Sequence, residues 1–370
     1  MAIVFYISGH GFGHASRDVE VINRLTSPGE HPIVIRSSVK ADFLGRTLRV
    51  PYELRPGVCD TGIVQSTSIT HDDPATVAET LDFYRTFDRR VDAEVQALAD
   101  LDVDLIVGDI PPLAFATAAA LGIPSIALGN FTWDWIYERH PGFLPDGVTV
   151  LDQIRECYRL VDLALELPFS GGFDIFDQVT PLPLVARQAT QPAGATRARF
   201  GLPPQGRVAL LSFGGYGLPA LDLSAIDCRD TWTIVTTDRV TADAVALPHV
   251  RVIAEREFID GPFRYEDLVA AADVIVTKPG YGIIAECIST GTALVYTPRG
   301  EFREYDVLVS ALPRLLRSQF ISHADLFAGR WGDVFERALG HPEPPGQIAT
   351  NGAEVAAAII DRAAASGLRP

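Results

Sequence analysis

Two series of alternating strands and helices, separated by a proline- and glycine-rich segment, predict an α/β chain of two Rossmann-like domains. Three observations carry this. The strand segments are short, nearly continuous apolar runs, as parallel sheets covered on both faces require. Each series opens with a strand that runs straight into a glycine turn. Residues 186–206, ARQATQPAGATRARFGLPPQG, shift in composition and read as a linker with room for one helical turn. The expected boundaries are 1–188, a linker over 189–206, 207–345, and a helix and tail over 346–370 that packs back across the domains. The two domains are expected to face a central cleft, with ligands beyond the carboxyl ends of the strands.

In the first series AIVFYIS reads as a strand and SRDVEVINRL as a helix. HPIVIRSS is the next strand, and residues 74–101 have helical periodicity. DLIVGD is a buried strand, PPLAFATAAALG a helix opened by prolines, and PSIALGN a further strand. The second series comprises the strands RVALLSFGG, TWTIVTTD, VRVIAE, VIVTKPG and ALVYTP, with helices YEDLVAAAD and YGIIAECISTG. The last helix, NGAEVAAAIIDRAAA, begins at an asparagine suited to an N-cap.

The 370 residues suffice for two domains, and 47% hydrophobic with 21% charged residues is ordinary for packed cores. A formal net charge of -16 argues against nucleic acid as a partner and against docking on anionic lipid. No apolar run is long enough to span a bilayer, so stable membrane insertion is not expected. MAIVFYISG lacks the basic flank and cleavage site of a signal peptide. Four scattered cysteines without CxxC spacing read as reduced thiols, and the expected location is cytoplasmic.

YISGHGFGHASR follows the first strand. It is a poor dinucleotide fingerprint, because His14 stands at the third glycine position and the second strand ends in serines. A metal reading pairs His10 with His14, but Gly11 and Gly13 disfavour a helix there and no HExxH glutamate is present. The third reading is a base on a glycine turn. His14 is placed just before a helix, whose positive end favours the uncharged ring. Such a ring can take a proton from an attacking hydroxyl. Asp109 ends a buried strand and is the candidate orienting carboxylate, or an N-cap for the following helix. His10 lines the same turn.

In the second half, Gly214, Gly215 and Gly217 follow one strand, with Tyr216 among them. Lys278, Gly280, Tyr281 and Gly282 follow another and open a helix. Such turns offer N–H groups and a helix dipole to a phosphate. GxxxxGK[ST] is absent, so ATP hydrolysis is not indicated. Glu286, further along that helix, suits ribose hydroxyls. Arg299, Glu301, Arg303, Glu304 and Asp306 cluster after the next strand, as sugar-binding residues or a solvated loop. Asp102 and Asp104 form a D-x-D pattern, but at the amino end of a strand, and read as a surface turn.

Taken together, YISGHGFGHASRDVEVI, LIVGDIPPLA, GNFTWDWIY, LSFGGYG and TKPGYGIIAECISTGTALVY resemble the glycosyltransferase-like N-terminal region of plant L-arabinokinase and its stand-alone bacterial relatives. The sugar-kinase half of those plant proteins has no counterpart, so kinase activity is not expected. More distantly the chain is similar to GT-B glycosyltransferases, including the peptidoglycan N-acetylglucosaminyl transferase and the plant UDP-dependent enzymes.

The resemblance implies a GT-B enzyme that transfers a sugar from a nucleotide donor, UDP-linked, to an acceptor hydroxyl. It implies an inverting reaction without metal or other cofactor. His14 would be the base and Asp109 its partner. Gly13, Gly214, Gly215, Tyr216, Lys278, Gly280, Tyr281, Gly282, Glu286 and Glu304 would face the donor. On the acceptor side, read from the residues themselves, stand His10 and the Asn130, Trp133, Asp134 and Tyr137 of GNFTWDWIYERH, whose aromatics stack on a sugar or apolar acceptor or else belong to the core. Two departures leave the donor sugar open: REYD replaces the usual Asp/Glu-Gln pair, and Lys278 stands where the peptidoglycan enzyme has arginine. A non-hydrolysing UDP-sugar epimerase and a catalytically silent nucleotide-sugar sensor are the alternatives.

Overall fold

The computed structural model describes residues 2–368 except 11, 28, 144–147, 215–217, 219–220, 238–244, 259–260, 301 and 367. The chain divides into two compact units. The first comprises Met1–Val64, His71–Val185 and Ala349–Pro370, the second Gln65–Thr70 and Ala186–Ile348.

In the first unit the strands are β1 (Ala2–Ile7), β2 (Ile33–Ser37), β3 (Tyr52–Pro56), β6 (Val103–Asp109), β7 (Ser125–Phe131), β8 (Leu163–Gly171) and β9 (Val179–Pro181). A two-stranded hairpin, β4 (Gln65–Thr67) and β5 (Thr70–His71), lies between β3 and β6 in the chain. The main sheet runs β3-β2-β1-β6-β7-β8-β9, and its strands pair in parallel. The helices are α1 (Phe12–Ile22), α2 (Ala41–Thr47), α3 (Asp73–Arg85), α4 (Phe87–Ala97), α5 (Pro112–Leu121), α6 (Trp133–Tyr137) and α7 (Val148–Tyr158).

In the 186–348 stretch of the second unit the first helix is α8 (Ala193–Arg199), inside the expected linker. Its strands are β10 (Arg207–Ser212), β11 (Trp232–Thr236), β12 (Val250–Val252), β13 (Val274–Thr277), β14 (Ala293–Tyr296) and β15 (Ser318–Phe320). They form a parallel sheet ordered β12-β11-β10-β13-β14-β15. Its further helices are α9 (Tyr265–Ala271), α10 (Tyr281–Thr290), α11 (Arg303–Leu315), α12 (His323–Phe327) and α13 (Gly332–Gly340).

The final helix, α14 (Gly352–Ser366), joins the core of the first unit through Ala353, Ala356, Ala357, Ile360 and Ala363. Those small side chains let it lie close to the apolar face that β1 and α1 also supply.

Both sheets reverse their strand order beside their first strand, between β1 and β6 and between β10 and β13. A crevice at the carboxyl ends of an open parallel sheet forms at such a switch point. In the first sheet Ile7 stands opposite Asp109, and in the second Ser212 stands opposite Thr277. The glycine turns after β1, β10 and β13 therefore lie at the switch points.

One expected boundary differs. His14 is not ahead of the helix but in its first turn, because α1 starts at Phe12 and includes Gly13. The glycine penalty is a loss of backbone freedom that applies to helix interiors, and Gly13 stands in the first turn.

Candidate functional site

In the first unit the parallel pairing of β1 with β6 brings the start of α1 beside the end of β6. His14 and Arg17, three residues apart, lie on one face of α1 and both reach Asp109. His14 Nδ1 is 2.9 Å from Asp109 Oδ1. Arg17 donates to the same carboxylate through Nε at 2.9 Å and through a terminal nitrogen at 2.5 Å. Its other terminal nitrogen donates to Asn130 Oδ1, and Asn130 Nδ2 donates to the Pro168 carbonyl at 2.8 Å.

Asp109 is 1% exposed. Burial works against its charge, but Arg17 and His14 prevail and hold the carboxyl well below the usual range. An ionised carboxylate only accepts, so Nδ1 of His14 must carry the hydrogen between them. In the neutral ring this leaves the lone pair on Nε2, the nitrogen away from Asp109. The ring is packed edge-on against Phe131, centroids 5.7 Å apart, and lies 6.1 Å from the ring of Trp133.

A second carboxylate, Asp60, knits the turn from the other side. Ser8 Oγ donates to Asp60 Oδ1 and Trp133 Nε1 to Oδ2, each at 3.0 Å. His10 Nε2 donates to the Asp60 backbone carbonyl at 3.2 Å. Burial disfavours the His10 cation, but the Asp60 contacts outweigh it and raise the imidazole. Gly9 packs close to Ser38: a Cβ there would fall 1.8 Å from Ser38 Oγ and 3.1 Å from its Cβ, so the serine hydroxyl would have to turn away. A Cβ on Gly13 would meet nothing within 4 Å.

The expected acceptor residues divide. Asn130 and Trp133 join the His14 cluster through Arg17 and Asp60, and both are buried. Asp134 is turned to Arg155, which donates to it at 3.1 Å.

In the second unit, Gly214 follows β10 with φ +77°, a backbone region that favours glycine. Gly215 and Tyr216 lie outside the described residues. After β13, Gly280 caps α10 with an extended backbone. Among the described residues, a Cβ placed on Gly214, Gly280 or Gly282 would meet nothing within 4 Å. Tyr281 begins the helix and is partly buried. Lys278 stands just before that turn. Burial, with Arg299 nearby, pushes its amine down to about 7 against the pull of Glu304.

Glu286, on α10, is 1% exposed and accepts a hydrogen bond from Arg187 Nε at 2.5 Å. Glu304 is also buried. It lies in the first turn of α11 and accepts from Arg299, whose guanidinium lies 4.0 Å over the Phe302 ring. A solvated loop was one reading of this stretch; the helix start encloses these two side chains instead.

Arg17, Asp60 and Arg187 had no sequence signal of their own. Arg17 becomes visible only when α1 is started at Phe12. Asp60 and Arg187 lie in irregular stretches with no period to place them.

Among the described residues no group of three or more His, Cys, Asp or Glu is arranged to hold a metal ion. No described helix is long and apolar enough to cross a membrane.

Two parallel sheets, each with a glycine turn at its switch point, define the GT-B architecture, and the chain has that fold. It resembles the calicheamicin glycosyltransferase CalG4 at TM-score 0.61 and 17% identity, over 99% of this chain and 95% of that one. A second similar structure is Phytolacca americana UGT2 complexed with UDP-2-fluoro-glucose and pterostilbene. The likeness there is TM-score 0.55 and 15% identity, over 98% and 95% of the two chains. In sequence the chain is 27% identical over 370 residues to L-arabinokinase of Arabidopsis thaliana. That match covers 98% of this chain and 34% of the relative, so the chain spans about a third of the relative's length. No family model matches the chain.

Proposed function

We propose that the chain is a glycosyltransferase that moves a sugar from a nucleoside diphosphate donor, UDP-linked, to an acceptor hydroxyl. The observation that carries this reading is the His14–Asp109 pair at the switch point of the first sheet. Nδ1 is committed to the carboxylate, and Nε2 is left to take a proton.

In the proposed reaction Nε2 removes the acceptor hydroxyl proton as the oxygen attacks the anomeric carbon. The bond from that carbon to the diphosphate breaks, and its electron pair leaves on the phosphate oxygen. Attack from the face opposite the leaving group inverts the centre, through an oxocarbenium-like state. Asp109 holds the ring and stabilises the imidazolium that forms.

The leaving diphosphate is assigned to the second unit. The N-terminus of α10, the glycines Gly214, Gly280 and Gly282, and Lys278 suit an anion. These groups supply the charge compensation, so the reading requires no metal. Glu286, fixed by Arg187, is assigned to the ribose. The UDP assignment rests on the resemblance and on the UDP-sugar bound by the UGT2 structure.

Thermal-shift binding tests it, with UDP, dTDP, GDP and ADP and their common sugar conjugates. A rise selective for UDP and one UDP-sugar, growing with concentration as linkage requires, is expected. A response to none of them removes the nucleotide from the account. Acceptor-dependent UDP release then separates a transferase from an epimerase or a silent sensor.

A further inference from the structure

Asp18 lies one helical turn after His14 on α1 and is 0% exposed. Neither of its carboxyl oxygens has a hydrogen-bond partner among the described residues. As an ion, such a group would carry a large desolvation penalty with nothing to offset it.

The charged groups acting on it are Asp109, beside it from β6, and Arg17 from its own helix. Arg17 is already committed to Asp109 and Asn130. From α14, which packs on α1, Glu354 pairs with Arg24 at 3.3 Å and Asp361 accepts from Thr26 and Ser27. Arg362 of α14 turns to the Ala358 carbonyl. β1 brings no charged side chain, and Glu20 is the helix's other acid. No cation in this set is left to pair with Asp18.

We propose that Asp18 is kept as the un-ionised acid and donates its O–H to the Asp109 carboxylate, making it a positioning residue for His14. Burial and the neighbouring Asp109 both push the Asp18 carboxyl well above the usual range, against the opposing pull of Arg17. Asp109 then accepts from His14, twice from Arg17, and from Asp18. A carboxylate held from four directions cannot swing, and neither can the imidazole it orients. Only the catalytic part of this inference rests on His14 being the base; the protonation of Asp18 does not.

Urea unfolding of the full chain and of Asp18→Asn between pH 5 and 8 tests the protonation. Unfolded aspartate ionises near pH 4. The folded chain would keep the Asp18 proton above that pH, so the contribution of this group to wild-type stability falls as pH rises. Asn has no proton to lose. The folding constant of Asp18→Asn relative to wild type should therefore grow by up to about tenfold per pH unit until the folded acid titrates. A ratio that stays flat across this range overturns the proposal. If Asp18→Asn does not fold, a carboxyl-carbon NMR titration of the wild-type chain decides. One aspartate still protonated at pH 7 supports the proposal, and none overturns it.

Positioning is read from kcat. Asp18→Asn, which retains a donor, should turn over like wild type. Asp18→Leu should lose about tenfold in kcat or more with UDP affinity unchanged. Equal kcat in Asp18→Leu and wild type overturns the positioning role. A chain that turns over no donor refutes the reading of His14 as base and leaves the unfolding result to decide the state of Asp18.

Discussion

Arg17 grips both oxygens of the buried Asp109, at 2.9 Å and 2.5 Å, and His14 shares one of them. A buried pair of this kind costs most when one member is removed, because the other is left charged and unmatched. Asp109→Asn should therefore destabilise the chain by about 3 kcal/mol at pH 7. The folded carboxyl lies below its unfolded value, so its contribution is present above about pH 4 and is lost as pH falls further. Urea midpoints at pH 7 and pH 3 check this. The deficit of Asp109→Asn should shrink at the lower pH, and an undiminished deficit would contradict the pairing.

Lys278 gives a second pH dependence. With its amine pushed down to about 7, the folded chain holds one proton fewer than the unfolded chain between pH 7 and roughly 10. Stability of the unliganded chain should rise with pH over that range, and Lys278→Met should flatten the rise. A bound diphosphate favours the ammonium form, so nucleotide binding should take up a proton and weaken as pH rises above 7. Calorimetry in buffers of different ionisation enthalpy reads the uptake, which Lys278→Met should abolish.

The glycines separate into structural and ligand-facing sets. Gly282→Ala adds a methyl group beside the N-terminus of α10, in the first helical turn, so it should leave stability unchanged or slightly raised while weakening UDP binding. Gly9→Ala should lower stability slightly, since the Ser38 hydroxyl must turn away to admit the Cβ, and leave UDP affinity unchanged. Thermal melts with and without UDP distinguish the two. Unchanged UDP affinity in Gly282→Ala would remove that turn from the donor site.

Arg187 and Glu286 should behave as a unit. Glu286→Ala leaves the Arg187 guanidinium without its closest carboxylate and should cost about 2 kcal/mol of stability together with nucleotide affinity. Arg187→Ala should weaken binding without abolishing it, because the ribose acceptor remains. Binding isotherms of the two single variants and the double variant measure the coupling.

The first strand, the glycine turn after it and the place of Asp109 were legible in the sequence for physical reasons. β1 is an unbroken apolar run of six buried residues, and a glycine turn follows it. Asp109 ends another buried strand, so His14, after the glycine turn that follows β1, and Asp109 could both be placed on the carboxyl side of the sheet. What pattern cannot show is a contact made across the fold. Arg17 and Asp60 depend on which strands are neighbours, and sequence order does not state that β6 lies beside β1. β8 carries no clear strand pattern, because Glu166 and Pro168 interrupt its apolar run and only part of it is buried. α11 was hidden by its charged start, although Leu308 and Leu312 mark its buried face.

The most direct test of the central claim is UDP release by wild type and His14→Ala, each supplied with the UDP-sugar that stabilises the wild-type chain and a panel of hydroxyl acceptors. Wild type should show acceptor-dependent release, reduced at least about 100-fold in His14→Ala while the Kd for UDP is unchanged. Equal release by the two proteins would contradict the assignment of His14 as the base.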